Sequence, residues 1–332
     1  MTNKTFKILS IDGGGIKGLY SARIIQIFEK TYDCHISDHF DLICGTSTGG
    51  ILALALSLRI EASEICKLYE TKGQTIFPHQ SKIVSFFKQY IRGGKFSSTS
   101  LKNALEETFG DKCIGDSKSL LCIPSYSITD NKPCIFKYDH MANGSIHNRD
   151  NHLKYVDVAL ATSAAPTYFP IVHIKENIGK YLIDGGMFCN NPSLVGLIEA
   201  IRFFVGTEKE YKNAKILSIS SIRKENKEAY KINKDRSFLN WKGKLIDVLL
   251  DGQDEFQAFL LKTIHESSDF PFEYHRIPSP IISAIQEKYV QMDKASAEII
   301  SFLNSNGNDV GNSFKNKIEI KDFFKERKTF II

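Results

Sequence analysis

The stretch FDLICGTSTGGILALAL occupies residues 40–56 and divides into three parts. Residues 40–46 form an apolar run with the length of a buried strand. Residues 49–58 form a second apolar run, which we interpret as a helix. Between the two runs the chain reads G-x-S-x-G. The stretch therefore predicts a strand, a sharp turn and a helix, which together are a unit of an α/β fold.

Ser47 lies at the centre of this turn, between Gly45 and Gly49. Glycines at these two positions let the backbone turn sharply enough to hold the serine in a strained, exposed position. The helix that follows points its N-terminal amides toward the serine and favours negative charge there. We predict that Ser47 is a nucleophile. The alternative is a tight βα turn in which the serine only caps the helix.

A glycine-rich loop, DGGGIKG, follows an earlier strand-like segment at residues 6–11. Consecutive glycines expose backbone N–H groups with no side chains in the way, as an oxyanion hole requires. The predicted donors and the residues that support them are Gly13, Gly14 and Gly15, with Asp12, Lys17 and Gly18.

The same loop also matches G-x-G-x-x-G, the pattern of dinucleotide-binding folds. Those folds place an acidic residue at the end of a strand about 20 residues further on. Residues 32–38 are instead polar and loop-like, and Asp12 directly precedes the glycines. The next strand leads into the serine turn, for which a nicotinamide-binding fold has no use. The dinucleotide interpretation is therefore disfavoured.

A third motif, YLIDGG, ends an apolar segment with Asp184, which is followed by Gly185 and Gly186. In a parallel α/β sheet, ligands meet the carboxyl ends of the strands. We therefore expect Asp184 to lie beside Ser47 and to act as its general base. The alternative is an ordinary Asp-Gly turn. None of the nine histidines has a setting typical of a catalytic base, which favours a Ser–Asp dyad over a triad.

Strand-like and helical segments alternate as far as residue 222, which predicts a mostly parallel sheet covered by helices. Residues 223–244 are rich in charge and are interpreted as an exposed connection, and a helix-rich segment follows. We predict a catalytic domain at 1–222. Residues 223–332 are predicted to be a charged connection and a helical C-terminal extension packed on the same body.

The composition excludes several classes of protein. Among 332 residues, 24% are charged and 42% hydrophobic, unlike a disordered or low-complexity chain. A net charge of +5 is too small to indicate a DNA or RNA partner. Seven scattered cysteines without a C-x-x-C pair indicate neither a disulfide framework nor a metal site. Without a long apolar run or a signal-peptide pattern, we predict a cytoplasmic protein.

Taken together, the three motifs resemble those of the patatin-like phospholipases. That family carries D-G-G-G-x-[RK]-G, G-x-S-x-G and D-G-[GA] in this order, and the matching residues here are 12–18, 45–49 and 184–186. The resemblance covers about residues 6–222. It implies a three-layer α/β patatin-like fold and hydrolysis of lipid esters through a serine acyl-enzyme, with release of fatty acids.

The resemblance also implies roles for single residues. Ser47 would be the nucleophile, Asp184 the base, and the amides near Gly14 and Gly15 the oxyanion hole. No metal or other cofactor is implied for this chemistry. Lys17 stands where many members carry Arg, and lysine lacks the planar fork of arginine.

Other segments resemble a narrower group, the patatin-like effectors of bacterial cyclic-oligonucleotide anti-phage signalling (CBASS). The matching stretches are residues 95–116, 121–127, 156–170 and 190–196. Such effectors are phospholipases that a cyclic dinucleotide switches on and that then degrade the host membrane. The resemblance implies a cyclic dinucleotide as allosteric activator, membrane phospholipid as substrate and action at the inner face of the membrane. Whether the protein forms a homo-oligomer is left open.

Residues 81–95, SKIVSFFKQYIRGGK, combine apolar side chains with flanking cations, as interfacial helices do. The alternatives are a cap helix packed on the core and a lid. Two other functions also stay open. One is a constitutive lysophospholipase or general lipid acyl hydrolase of the same fold. The other is a non-catalytic lipid- or nucleotide-binding protein on this scaffold, which the three complete motifs disfavour.

Overall fold

The computed structural model describes residues 4–78, 95–140, 149–175, 179–224, 238–267 and 270–328, without the side chains of 238–247. Its strands are β1 (Thr5–Ile11), β2 (Leu42–Gly45), β3 (Leu120–Ser127), β4 (Lys132–Lys137), β5 (Val172–Ile174), β6 (Lys180–Asp184), β7 (Asn213–Ile219) and β8 (Phe272–Ile277). Its α-helices are α1 (Gly18–Tyr32), α2 (Thr48–Ser57), α3 (Ala62–Ile76), α4 (Ser98–Phe109), α5 (Tyr155–Thr162), α6 (Ser193–Phe203), α7 (Phe238–Ser267), α8 (Ala297–Phe314) and α9 (Ile318–Phe324).

The described strands form one sheet in the order β5-β6-β3-β2-β1-β7-β8, and β4 pairs with β3 outside this path. The strands β3, β2, β1, β7 and β8 are parallel to one another. Both β4 and β6 run antiparallel to β3, and β5 runs antiparallel to β6. The predicted α/β fold with a mostly parallel central sheet is confirmed.

Helices cover both faces of this sheet. Along β1, Phe6 and Ile8 join a buried apolar cluster with residues of α6 and α7. Leu9 and Ile11 point to the opposite face and join the larger cluster that includes α1, α2 and α3. Every residue of α2 is buried, which explains the uninterrupted apolar run that follows the serine turn. The result is the predicted three-layer arrangement.

The strand β8 lies where the sequence pattern indicated only helix. It runs parallel to β7, with Ala214 opposite Phe272 and Ile219 opposite Ile277. Its four central residues are polar or charged and half-buried, so it lacks the apolar pattern by which a strand is recognised. The chain after residue 222 therefore also contributes to the sheet. The domain division at that residue stays a prediction.

The strands β2 and β6 meet end to end on one edge of β3. The strand β4 pairs with β3 from Cys122 to Ser127. At Cys122, β3 also pairs with β2, and from Ser125 to Ser127 it also pairs with β6. Because a strand has only two edges, β2 and β6 share the edge opposite β4. Since β2 and β6 run in opposite directions, their C-terminal ends face each other across Ile123 and Pro124.

The cationic, apolar segment at residues 81–95 lies outside the described residues except for Lys95, whose ammonium pairs with the carboxylate of Asp293. The predictions of an interfacial helix or a lid therefore stay predictions. Within the ranges given above, none of the helices has both the length and the apolar character needed to cross a membrane.

Candidate active site

The serine turn has the geometry that its glycines predicted. Ser47 has φ 55° and ψ −125°, a region that residues with a side chain rarely occupy. A Cβ on Gly45 would lie 2.0 Å from the carbonyl oxygen of Gly49, and a Cβ on Gly49 would lie 2.4 Å from that of Ile11. Side chains at these two positions would collide with backbone, so the close approach of β2, α2 and β1 requires glycine.

Thr162, at the end of α5, also holds the turn. The backbone N–H of Ser47 donates to Oγ1 of Thr162 at 3.0 Å, and that hydroxyl donates to the carbonyl oxygen of Pro124 at 2.6 Å. Sequence reasoning did not single out Thr162, although it lies in one of the stretches that carried the resemblance. No spacing rule connects it to the serine.

Asp184 lies directly against Ser47. The Oγ of Ser47 donates to Oδ2 of Asp184 at 2.7 Å, and the N–H of Gly186 donates to Oδ1 at 2.7 Å. Both side chains are buried, with exposed fractions of 8% for Ser47 and 6% for Asp184. Burial raises the pKa of Asp184 to about 6, while the hydrogen bonds from Gly186 and Ser47 act in the opposite direction.

The two residues meet for a different reason from the one the sequence suggested. A parallel strand ending in Asp184 was expected, but β6 runs antiparallel to its neighbour β3. The serine turn follows β2, and β2 and β6 point at each other along the same edge of β3. Gly185 makes the following turn fit, because a Cβ there would lie 2.2 Å from the carbonyl oxygen of Pro124.

The glycine loop lies beside this pair. The N–H of Gly13 donates to the carbonyl oxygen of Asn190 at 3.1 Å and is thereby engaged within the fold. The amides of Gly14 and Gly15 make no hydrogen bond to another described residue. Gly15 has φ +61°, and a Cβ there would lie 2.1 Å from the carbonyl oxygen of Met292. Of the three predicted donors, the loop thus leaves Gly14 and Gly15 available.

Two other residues of the glycine-loop motif, Asp12 and Gly18, lie against side chains elsewhere in the fold. The carboxylate of Asp12 is buried and pairs with the guanidinium of Arg276 at 2.6 Å, and Asp12 does not line the pocket of Ser47. A Cβ on Gly18 would lie 2.8 Å from the hydroxyl oxygen of Tyr69. Sequence reasoning missed Arg276, because nothing in the polar segment around it indicates a strand that ends beside the glycine loop.

A narrow pocket of about 80 Å³ connects these groups. Ser47, Asp184, Gly14 and Gly15 all line it. The rest of its wall is mainly apolar and includes Ile51, Ile76, Phe77, Leu101, Phe169 and Leu250. An apolar wall around a serine and a carboxylate suits an ester with a hydrocarbon chain.

A larger, polar cavity of about 400 Å³ adjoins this pocket. The two share Tyr168, Asn190, Leu250, Met292 and Asp293 in their walls. Lys17 lines the polar cavity rather than the serine pocket. The other cations of its wall are Arg223, Lys224 and Lys294.

Two of the described histidines lie beside carboxylates other than Asp184. His140 lies 3.1 Å from a carboxylate oxygen of Glu199, and His275 lies 3.2 Å from one of Glu273. In the part of the chain that is described, no histidine lines the pocket of Ser47. The same residues contain no group of three or more His, Cys, Asp or Glu arranged to hold a metal ion.

Comparison with known proteins identifies the family. The Patatin family model, described as patatin-like phospholipase, matches residues 9–196, which is more than half of the chain. The chain belongs to the patatin-like phospholipase family. The match contains the serine turn, the glycine loop and the Asp-Gly-Gly motif. The predicted family, fold and enzyme class are confirmed.

Two patatin-like relatives span almost the whole chain. A protein of Pseudomonas aeruginosa (strain BWHPSA011 / Pa011) named cGAMP-activated phospholipase is 32% identical over 92% of this chain and 87% of its own. A protein of the same name from Vibrio cholerae is 33% identical over 96% of this chain and 94% of its own. Among solved structures, VipD from Legionella pneumophila covers 95% of this chain and 67% of its own with a TM-score of 0.45 and 11% identity.

Proposed function

We propose that this protein releases fatty acids from membrane phospholipids through a Ser47–Asp184 dyad, and that a cyclic dinucleotide activates it. The observation that carries the proposal is the 2.7 Å hydrogen bond from Ser47 to Asp184 inside an apolar pocket. A nucleophilic serine needs a base within hydrogen-bond reach and a third group that orients the base. Here the amide of Gly186 orients Asp184.

The reaction follows from these contacts. Asp184 takes the proton of Ser47 as Oγ attacks the ester carbonyl, and the amides of Gly14 and Gly15 stabilise the oxyanion that forms. Asp184 then returns the proton to the departing lysophospholipid alcohol. Water, deprotonated by the same carboxylate, hydrolyses the acyl-enzyme and frees the fatty acid. Each step uses groups of this chain and water.

Activation by a cyclic dinucleotide rests on the relatives. Both bacterial relatives are named cGAMP-activated phospholipases and align over more than nine tenths of this chain. We infer a ligand of that class, an anti-phage role and action from the cytoplasm on the inner face of the membrane.

Fatty-acid release from vesicles of bacterial phospholipid, with and without a panel of cyclic dinucleotides, tests both parts. We expect release that requires one nucleotide and is lost in Ser47→Ala. Ser163→Ala is the matched control, because Ser163 lines the same pocket but donates to the carbonyl oxygen of Ala159.

Each contrary outcome removes a defined part of the proposal. Release without any nucleotide would remove the activator and leave a constitutive hydrolase. Full release by Ser47→Ala would remove the dyad. If no condition gives release and a fluorophosphonate does not label Ser47, the protein is a binding scaffold and not a hydrolase.

A further inference from the structure

Four charged side chains meet beside the glycine loop, next to the polar cavity that adjoins the serine pocket. They are Asp12, Arg223, Asp254 and Arg276, and the exposed fractions of their side chains are 0%, 12%, 2% and 14%. Two carboxylates face two guanidiniums, and Arg223 also pairs with the exposed carboxylate of Glu255 at 2.7 Å. Burial of charge is costly unless the charges are paired and hydrogen-bonded. We therefore ask why these four charged side chains are buried together beside the glycine loop.

Arg276 holds the first residue of the loop. It lies on β8, and its guanidinium donates to both carboxylate oxygens of Asp12, at 2.6 and 3.3 Å. It also donates to the hydroxyl of Ser218 on the neighbouring strand β7 at 2.6 Å. The N–H of Asp12 donates to the carbonyl oxygen of Ile219 at 3.1 Å. A forked, charge-assisted pair of this kind constrains direction as well as distance.

Asp254 holds the second residue of the loop through Asn190. The Oδ2 atom of Asp254, on α7, accepts from Nδ2 of Asn190 at 2.8 Å and lies 3.0 Å from the guanidinium of Arg223. The carbonyl oxygen of Asn190 accepts the N–H of Gly13. A Cβ on Gly13 would lie 2.5 Å from Oδ1 of Asn190, so the two residues are in close contact. The amides of Gly14 and Gly15 follow directly in the chain.

These contacts come from outside the part of the chain that the family model matches. The match ends at residue 196, whereas Arg223, Asp254 and Arg276 all follow it. Stability alone does not account for their convergence, because apolar residues of similar volume often stabilise a core as well as buried ion pairs do. Asp12 belongs to the loop whose amides adjoin Ser47, Arg276 and Arg223 lie against Asp12, and Asp254 reaches the loop through Asn190.

We propose that Arg276 and Asp254 are positioning residues of the hydrolase site. Arg276 fixes the loop through Asp12, and Asp254 fixes it through Asn190 and Gly13, so that the amides of Gly14 and Gly15 point at the oxyanion. The inference rests on the proposed function. An oxyanion donor acts only from a defined position, and a displacement of about 1 Å in a catalytic group can cost about 100-fold in rate.

The test compares Arg276→Met with Lys215→Met on a short-chain ester that is monomeric in solution. Lys215 is the matched control, because it lies on β7, pairs with Glu273 of β8 and with Asp322, and has a side chain 17% exposed. It makes no contact with the glycine loop among the contacts of the described residues. Any nucleotide found to activate the wild type is supplied at saturation to both variants.

We expect Arg276→Met to lower kcat about 100-fold with KM within twofold, and Lys215→Met to leave kcat unchanged. A trifluoromethyl ketone inhibitor adds to the serine and places an oxyanion in the hole, so its inhibition constant should rise by a factor similar to the loss in kcat. If Arg276 had a purely structural role, Arg276→Met would lower the thermal midpoint and the amount of active enzyme. The inhibition constant would then not rise together with the loss in kcat. Asp254→Asn should give a smaller change of the same kind.

The inference would be overturned if folded Arg276→Met kept the kcat and the inhibitor affinity of the wild type. It would also be overturned if Arg276→Met and Lys215→Met lost kcat equally. If Arg276→Met does not fold, Arg276→Gln keeps polar atoms at this position while it removes the charge and the fork, and the same criteria apply. Ser47→Ala separates the two proposals. An active Ser47→Ala enzyme refutes the proposed function, whereas an inactive one beside an unaffected Arg276→Met refutes only the positioning role.

Discussion

The Oγ of Ser47 lies 2.7 Å from Oδ2 of Asp184, although 137 positions separate the two residues in the chain. The strand β3 makes this possible, because β2 and β6 occupy successive parts of one of its edges and end toward each other. The serine turn leaves one of these ends and Asp184 forms the other. The contact between Ser47 and Asp184 therefore depends on strand register, and a shift of either strand along β3 would separate the two side chains.

The pH dependence of hydrolysis should report on Asp184. Its carboxyl must be ionised to accept the proton of Ser47, and burial raises its pKa to about 6. We expect kcat/KM on a soluble ester to rise with pH through a midpoint near 6 and then to level. A midpoint near 4, the ordinary value for an aspartate, would contradict the buried environment. Vesicle substrates are unsuited to this measurement because their own charge changes with pH.

Replacing Asp184, the proposed base, should stabilise the protein while it removes activity. A pKa raised from 3.8 to about 6 means that ionised Asp184 destabilises the fold by about 3 kcal/mol above pH 6. This destabilisation shrinks as the pH falls from 6 to 3.8, and it disappears below about pH 3, where the carboxyl is protonated in both the folded and the unfolded state. In Asp184→Asn, the side-chain carbonyl oxygen can accept from the N–H of Gly186, and the side-chain NH₂ group can donate to Oγ of Ser47. We expect the variant to unfold at a higher temperature than the wild type at pH 7.5, with a much smaller difference near pH 4. An equal difference at both pH values would refute this account.

The backbone strain at Ser47 should be measurable. Ser47 has φ 55° and ψ −125°, where a side chain costs about 1–3 kcal/mol and glycine costs little. We expect Ser47→Gly to be more stable than Ser47→Ala by about 1 kcal/mol, since the greater freedom of unfolded glycine offsets part of the relief. Ser163 has φ −105° and ψ 8°, an ordinary conformation, and supplies the control pair. At position 163 the alanine variant should be more stable than the glycine variant. If the alanine variant were also the more stable one at position 47, the backbone there would not be strained.

Two glycines on helices should respond in opposite ways to alanine. A Cβ on Gly49 would lie 2.4 and 2.6 Å from the carbonyl oxygens of Ile11 and Asp12, and backbone cannot move aside cheaply. Gly252, on α7, has open space where its Cβ would be. We expect Gly49→Ala to lose several kcal/mol of stability, and Gly252→Ala to gain about 1 kcal/mol from helix propensity. Chemical denaturation of the two variants measures both, and a tolerated Gly49→Ala would show that β1 and α2 can separate.

Much of the fold was predictable because its signals are local. The buried strand before Ser47 and the buried helix after it are continuous apolar runs, and both lie within a few residues of their predicted bounds. The strand β8 was not predictable in this way. It lies at the edge of the described sheet, where polar and charged side chains such as Glu273 and Arg276 stay half-buried and the apolar pattern is lost.

By itself, the sequence determined the family, the identity of the candidate nucleophile and base, and the need for glycine at the turns, because each depends on residue type within a few neighbouring positions. Only the tertiary structure decided how these pieces meet. It brings Asp184 to Ser47 on an antiparallel strand, engages the amide of Gly13 with Asn190, and sets Arg276 behind Asp12. Such contacts depend on strand order and register, which join residues too distant in the chain for any short motif to encode.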